Sequence, residues 1–214
     1  METAMETPTG VVPLSLTLLT PTTDAWVSTV MDDFDSFLID HAACERKAAG
    51  MALSLCTHYP DRAELVRSMS ALAVEELMHF REVIRWMAKR DLIQRPDEKD
   101  PYINALQRCI GKGKQAYLRD RLLLAAIIER RGHERFGLVA NALPAGGLKQ
   151  FYTRITRSED RHHELFLRLA ERYSPSDASG ERFEDDTMLA ARLNQLLEAE
   201  AHIVRDLPLR AKLH

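Results

Sequence analysis

Cysteine, glycine and proline are all sparse in this chain of 214 residues, which holds three, nine and nine of them. The cysteines (Cys44, Cys56 and Cys109) are far apart, and no CxxC pair exists. That excludes a zinc ribbon or a rubredoxin-type iron site and fits a reduced, cytoplasmic chain. No apolar run approaches the ~20 residues needed to span a bilayer. The short apolar run near the start lacks a basic leader and contains Pro13, so neither a membrane segment nor an export signal is expected. A formal net charge of −3 argues against a generally basic nucleic-acid coat while allowing a local basic patch. Nothing alternates with a period of two for long enough to read as a strand.

What is present is Leu, Ala, Arg and Glu, so helix propensity is high nearly everywhere. Residues 1–21, rich in Thr and Pro, read as an irregular arm, and 22–214 as one helical domain. Thr22, Thr23 or Asp24 can cap a long first helix that stops before Pro60. Asp61 with Glu64 resembles a capping box opening a second helix that runs to about Asp91. A charged turn follows at Gln94–Pro101, then a short helix around Tyr102–Cys109, then the break "GKGK". A third helix spans about Gln115–Leu143, and a fourth follows Gly146 and Gly147 to about Tyr173. After a loop over Ser174–Glu181, a last amphipathic helix covers about Asp185–Val204. The class is all-α.

Each long helix carries an apolar stripe in steps of three and four, which keeps one side facing a bundle axis. Trp26, Val30, Phe34, Phe37, His41, Glu45, Ala48, Ala52 and Leu55 form the first stripe. Leu72, Glu76, His79, Val83 and Met87 continue the second; Leu122, Ala125, Glu129, Gly132 and Phe136 the third; Tyr152, Ile155, Glu159, His162 and Phe166 the fourth. Every stripe therefore contains a carboxylate in its middle, and two contain a histidine three residues later. Buried carboxylates gathered together need compensating positive charge. No Arg or Lys occupies these stripes between their apolar flanks, whereas two divalent cations would supply it, and Glu and His suit iron or manganese. One Glu from each of two helices and Glu-x-x-His from each of two others is the ligand pattern of ferritin-like carboxylate proteins.

Spacing supports the same reading. Glu45 precedes Glu76 by 31 residues and Glu129 precedes Glu159 by 30, so each half reads as a helical hairpin. "CERKAAG" around Glu45 echoes "IERRGHE" around Glu129. The longer interval between Glu76 and Glu129 leaves room for a crossover. The expected fold is a ferritin-like four-helix bundle with a long crossover and an extra C-terminal helix. Ala48, Ala49 and Gly132, one turn beyond the lone glutamates, leave space beside the ligands. His41 reads as a satisfied core histidine rather than a seventh ligand. Glu75, His133, Glu134, Asp160, His163 and Glu164 fall off the stripes, as groups that orient ligand histidines or as surface charges.

"HAACERKAAGMALSL", "ALAVEELMHFREV", "IIERRGHERFGLV" and "SEDRHHELFLRLA" together resemble the tRNA 2-methylthio-N6-isopentenyladenosine hydroxylases, from about Leu18 to Leu209. The resemblance implies a non-haem di-iron monooxygenase that hydroxylates the isopentenyl side chain of a modified adenosine beside the anticodon. Such an enzyme consumes dioxygen and two electrons, delivered by a separate reductase. Carried across, Glu45 and His79 serve one iron and Glu129 and His162 the other, with Glu76 and Glu159 between them. A tRNA substrate asks for cations near the pocket. Lys112, Lys114, Arg119 and Arg121 supply them, with Tyr117 for stacking on an extruded loop base and Arg130, Arg131, Arg46 and Lys47 as further charge. The alternatives are a di-iron oxidase or oxygenase for a small hydrophobic molecule, and a ferritin-like iron-binding or peroxide-scavenging protein without an organic substrate.

Overall fold

The structure is a computed structural model that describes residues 14–96, 98–174 and 186–214. All regular structure among the described residues is helical: α1 (Asp24–Asp32), α2 (Phe34–His58), α3 (Ala63–Ala88), α4 (Pro101–Gln107), α5 (Lys114–Ala142), α6 (Gly147–Arg172) and α7 (Asp186–Asp206). The loop expected over 174–181 lies, beyond Ser174, outside the described residues.

The first long helix is in fact two. Asp33 leaves helical geometry at φ −132° and ψ 60°, closing α1 while its carboxylate accepts from Ser36 N at 3.2 Å to open α2. The apolar steps of Trp26, Val30, Phe34 and Phe37 run straight across this break, which is why periodicity alone conceals it. The expected Asp61–Glu64 capping box does not form either. Arg62 is the N-cap of α3 and makes no side-chain cap, and the exposed Asp61 pairs with Arg62 at 3.4 Å instead. Gly146, at φ 157°, makes the turn into α6 that a residue with a Cβ rarely adopts.

α2 packs along α3 and α5 along α6, so the two hairpins expected from the spacing exist, and α3 meets α6 across the bundle. α4 sits in the crossover. Asp100 caps it, accepting from Tyr102 N and Ile103 N, and Pro101 opens its first turn. α5 is buried on almost every side over Leu122–Ile127, because α7 packs on the side that the other long helices leave open, with α4 packed on α7. A buried Arg131–Glu200 pair at 2.8 Å, with Tyr102 OH donating to Glu200 at 3.1 Å, ties α5, α7 and α4 together. From Leu14 to Pro21 the chain has no helix but is attached: Leu14 N donates to Glu171, and Thr20 O accepts from Arg131.

Two apolar clusters fill the bundle. One gathers Leu55, Leu65, Met69, Leu72, Leu122, Phe166 and Leu169; the other gathers Phe34, Phe37, Val83, Met87, Phe136, Phe151 and Tyr152. Along each long helix the carboxylates fall between residues of the first cluster and residues of the second. The polar layer is thus plugged against water from both ends of the bundle.

Candidate metal centre

Helical periodicity delivers all four carboxylates and both imidazoles to one layer. Glu45, Glu76, Glu129, Glu159 and His162 are buried, and His79 is nearly so, with 13% of its side chain exposed. Donor atoms of Glu45, Glu76, His79 and Glu159 lie within 4.8 Å of one another, as do those of Glu76, Glu129 and His162. Glu76 belongs to both groups, which is the position of a residue shared between two ions. Glu159 joins the first group, and its Oε1 is also 3.9 Å from His162 Nδ1.

Both histidines aim Nδ1 inward. His79 Nδ1 is 3.3 Å from Glu76 and 3.6 Å from Glu45. His162 Nδ1 is 3.0 Å from Glu76 Oε1, yet neither atom makes a hydrogen bond. The two atoms face each other as a buried charge pair without hydrogen-bond geometry, a place where a shared cation would satisfy both. Orphaned buried groups are costly, and a cation between them removes the cost. With four carboxylates and two imidazoles, the donor set fits two divalent ions of the iron type.

The electrostatics of the cage agree. Burial, with the charges of Glu45 and Glu129, pushes the Glu76 carboxyl up to about 7. Burial and the adjacent Glu129 push Glu159 well above the usual carboxylate range. Burial opposes charge on His79 and His162, but the facing carboxylates outweigh it and raise both to about 10. Burial also works against the Glu45 carboxylate, but the hydrogen bond with His41 and the nearby His79 imidazole hold it below the usual range. Protons therefore balance the negative charge in this cage, at the positions where cations would otherwise do so.

A further layer of residues holds the donors. His41 bridges Glu45 Oε1 at 2.5 Å and Tyr152 OH at 3.1 Å, so it is the satisfied core histidine the sequence suggests and also a support for Glu45. Glu75 Oε2 stands 3.3 Å from His162 Nε2. Ser158 Oγ donates to Glu75, and Arg161 Nη2 donates to it at 2.8 Å. In the sequence Glu75 is one of several off-stripe acids, and nothing there marks Tyr152, Ser158 or Arg161 for these roles. Glu75 directly precedes a ligand candidate, but nothing in one helix shows which neighbour it meets across the bundle. His133, Asp160 and His163 form a separate cluster, and Glu134 binds Thr22 and Arg131.

A cavity of about 530 Å³ reaches Glu45, Glu76, Glu129 and Glu159. Met51, Ile103, Leu106, Ile110, Leu124 and Ile128 make its walls apolar, from α2, α4, α5 and the stretch after α4. Ala48 and Gly132 border it as expected, while Ala49 is packed in the core. A Cβ on Gly132 would meet Glu159 Oε2 at 3.5 Å, so the missing side chain is space beside the donors. Lys47 and Arg121 also border the cavity, and the Arg121 guanidinium lies 5.8 Å over the half-exposed Tyr117 ring. Lys112 is exposed, and the Lys114 side chain lies outside the described residues. Arg119 is a correction: it is buried and its Nε donates to Asp120 at 2.8 Å, so it presents no open cation. Arg131 is likewise fully buried on Glu200 and Glu134, which removes it from the RNA candidates.

The fold and this donor set define a ferritin-like helical bundle with a carboxylate–histidine centre. The sequence matches the family described as tRNA-(MS[2]IO[6]A)-hydroxylase (MiaE) over residues 9–214, and the chain belongs to that family. It is 39% identical over 153 residues to the tRNA 2-(methylsulfanyl)-N(6)-isopentenyladenosine(37) hydroxylase of Pseudomonas putida, covering 72% of this chain and 74% of that one. The protein of the same name from Salmonella typhimurium is 26% identical over 233 residues, covering 86% and 82%. Among solved structures, a Synechococcus protein with aldehyde deformylating oxygenase activity superposes with a TM-score of 0.82 at 32% identity, covering 92% of this chain and 94% of that one.

Proposed function

We propose that this chain hydroxylates the isopentenyl side chain of 2-methylthio-N6-isopentenyladenosine at tRNA position 37. Two irons would be held by Glu45, Glu76, His79, Glu129, Glu159 and His162. The observation that carries the reading is a cavity of about 530 Å³ with largely apolar walls that reaches four clustered carboxylates and is bordered by Lys47 and Arg121 as well as Glu98 and Asp100. When bound, the two irons supply the activation of dioxygen that a C–H hydroxylation needs. The remaining work falls to the chain's own residues.

The apolar walls, Met51, Ile103, Leu124 and Ile128 among them, take a prenyl chain out of water and aim it at the donor layer. Ala48 and Gly132 leave room for its end. Outside, Lys47 and Arg121 answer the phosphates flanking an extruded base, and Tyr117 offers a stacking face. The net reaction takes one dioxygen, two electrons and two protons, and yields the alcohol and water. A large apolar cavity disfavours an iron store, which needs no such walls. An oxygenase for a small hydrophobic molecule draws on the likeness to the aldehyde deformylating oxygenase.

Deleting the gene and analysing tRNA nucleosides by mass spectrometry separates these readings. The proposal expects the hydroxylated nucleoside to vanish while its isopentenyl precursor accumulates. An unchanged nucleoside profile in a strain with no second hydroxylase would refute it.

A further inference from the structure

Hydroxylation by dioxygen consumes two electrons that the substrate does not supply. Its three cysteines, Cys44, Cys56 and Cys109, are dispersed and do not supply the four thiolates of a ferredoxin-type cluster. Two sides of the bundle flank the donor layer. The cavity occupies the side formed by α2, α4 and α5, and the α3–α6 side lies across the bundle from it.

That second side has an unusual composition. On α3, Val74, Leu77 and Met78 are 59%, 46% and 51% exposed, three large apolar residues together in the middle of a helix face. Arg67, Arg81 and Arg85 share the face at helical spacing and are exposed. α6 contributes the exposed Arg154, Arg157 and Arg161 alongside. Three acids of this side are engaged, Glu82 by Arg154 at 3.1 Å, Glu75 by Arg161 at 2.8 Å and Glu64 by Arg172 at 2.7 Å, and with the exposed Glu164 they are still outnumbered by the arginines. Arg67, Arg81, Arg85 and Arg157 form no ion pair among the described residues. In a chain with net charge −3, this face is positive.

Beneath it the route to the centre is short. Arg161 contacts Glu75, Glu75 lies 3.3 Å from His162 Nε2, and His162 Nδ1 faces Glu76. We propose that the α3–α6 face docks an acidic one-electron carrier protein, which passes electrons inward through the Glu75–His162 contact. The idea rests on the oxygenase reading above. An apolar centre rimmed by arginines is the make-up of a protein interface, and its charge calls for an acidic partner. RNA meets cations at its phosphates and stacks its bases chiefly on aromatic faces, which Val74, Leu77 and Met78 do not offer. Each reduced carrier gives up one electron and leaves oxidised. Two such visits, with two protons, reduce one oxygen atom to water while the other enters the C–H bond.

The test uses the full-length iron-loaded protein and a reduced acidic [2Fe–2S] ferredoxin, with no RNA present. Oxidation of the ferredoxin is followed by stopped flow from its own absorbance. Charge reversal by Arg81→Glu with Arg157→Glu is expected to slow the second-order reduction at least about tenfold at low salt and to flatten its salt dependence. Arg81→Gln with Arg157→Gln gives an intermediate loss, which guards against a folding artefact in the reversed variant. Equal rates for parent and reversed protein, including no measurable reduction of either, would overturn the proposal. Loss of affinity for an anticodon stem–loop with carrier reduction unchanged would overturn it too, in favour of RNA on this face. A parent protein that accepts electrons but hydroxylates no tRNA would instead sink the tRNA reading and leave the docking face standing.

Discussion

His162 Nδ1 and Glu76 Oε1 sit 3.0 Å apart, on different hairpins, and neither forms a hydrogen bond. Both are buried, they face each other, and Glu76 is shared between the two donor groups. Removing either should therefore abolish more than one contact. Glu76→Ala is expected to lower bound iron from two ions per chain to fewer than one, and His162→Ala to about one, measured by elemental analysis of the reconstituted protein. Full occupancy in both variants would contradict the ligand assignment.

The same cage fixes a pH dependence in the metal-free form. Glu76 is raised from the ordinary carboxylate value to about 7, so the folded state holds its proton where the unfolded state does not. His79 and His162 are raised to about 10, which adds bound protons in the folded state from about pH 6.5 upward. In both windows the unfolded state binds fewer protons, and stability falls as pH rises. The melting temperature of the metal-free protein should decline from about pH 6.5 to pH 9; below that window buried His214, pushed down to about 4 by burial, works in the opposite sense. Iron loading displaces those protons and should flatten the curve, as thermal melts across that range would show.

Gly132 separates stability from function. Glycine inside a helix costs roughly 0.5–1 kcal/mol relative to alanine, so Gly132→Ala, whose Cβ meets only ordinary contacts, should raise the melting temperature slightly. Gly132→Leu should fill the space beside Glu159 and lower turnover more than tenfold with iron content retained. Nucleoside turnover beside a melting curve reads both effects.

His41 should matter through Glu45. His41→Leu strips the Glu45 carboxylate and the Tyr152 hydroxyl of a partner at once, in a fully buried position. The expected loss is about 1–3 kcal/mol of stability, against about 1 kcal/mol for Tyr152→Phe. Denaturant unfolding of the two variants measures the difference.

Arg119 and Arg121, two residues apart, should behave oppositely. Arg121→Ala removes a cation at the cavity and is expected to weaken anticodon stem–loop binding, with a shallower salt dependence. Arg119→Ala breaks a buried contact to Asp120, a carboxylate that also holds Arg192 and Gly111 N, and should destabilise the fold instead. Stem–loop titrations at several salt concentrations, paired with melts, test the contrast.

The six donors were legible because helical periodicity is a local property: Glu45, Glu76, His79, Glu129, Glu159 and His162 each interrupt an apolar stripe that can be followed within one helix. The bundle followed from the 31- and 30-residue intervals. What stayed hidden depends on contacts between distant segments. Glu75 meets His162 across the bundle, and Ile103, Leu213 and His214 reach the cavity from outside the four long helices. The break at Asp33 was masked because apolar residues continue through it on both sides. Arg119 read as a surface cation because its partner Asp120 is its own neighbour, and adjacency gives no sign of burial.

The most direct measurement is turnover of 2-methylthio-N6-isopentenyladenosine tRNA by the iron-loaded protein under isotopically heavy dioxygen, with reduced carrier present. A hydroxylated nucleoside carrying one heavy oxygen atom is expected, absent when Glu76→Ala or His162→Ala replaces the parent. A product whose oxygen comes from water, or equal product from the two variants, would contradict it.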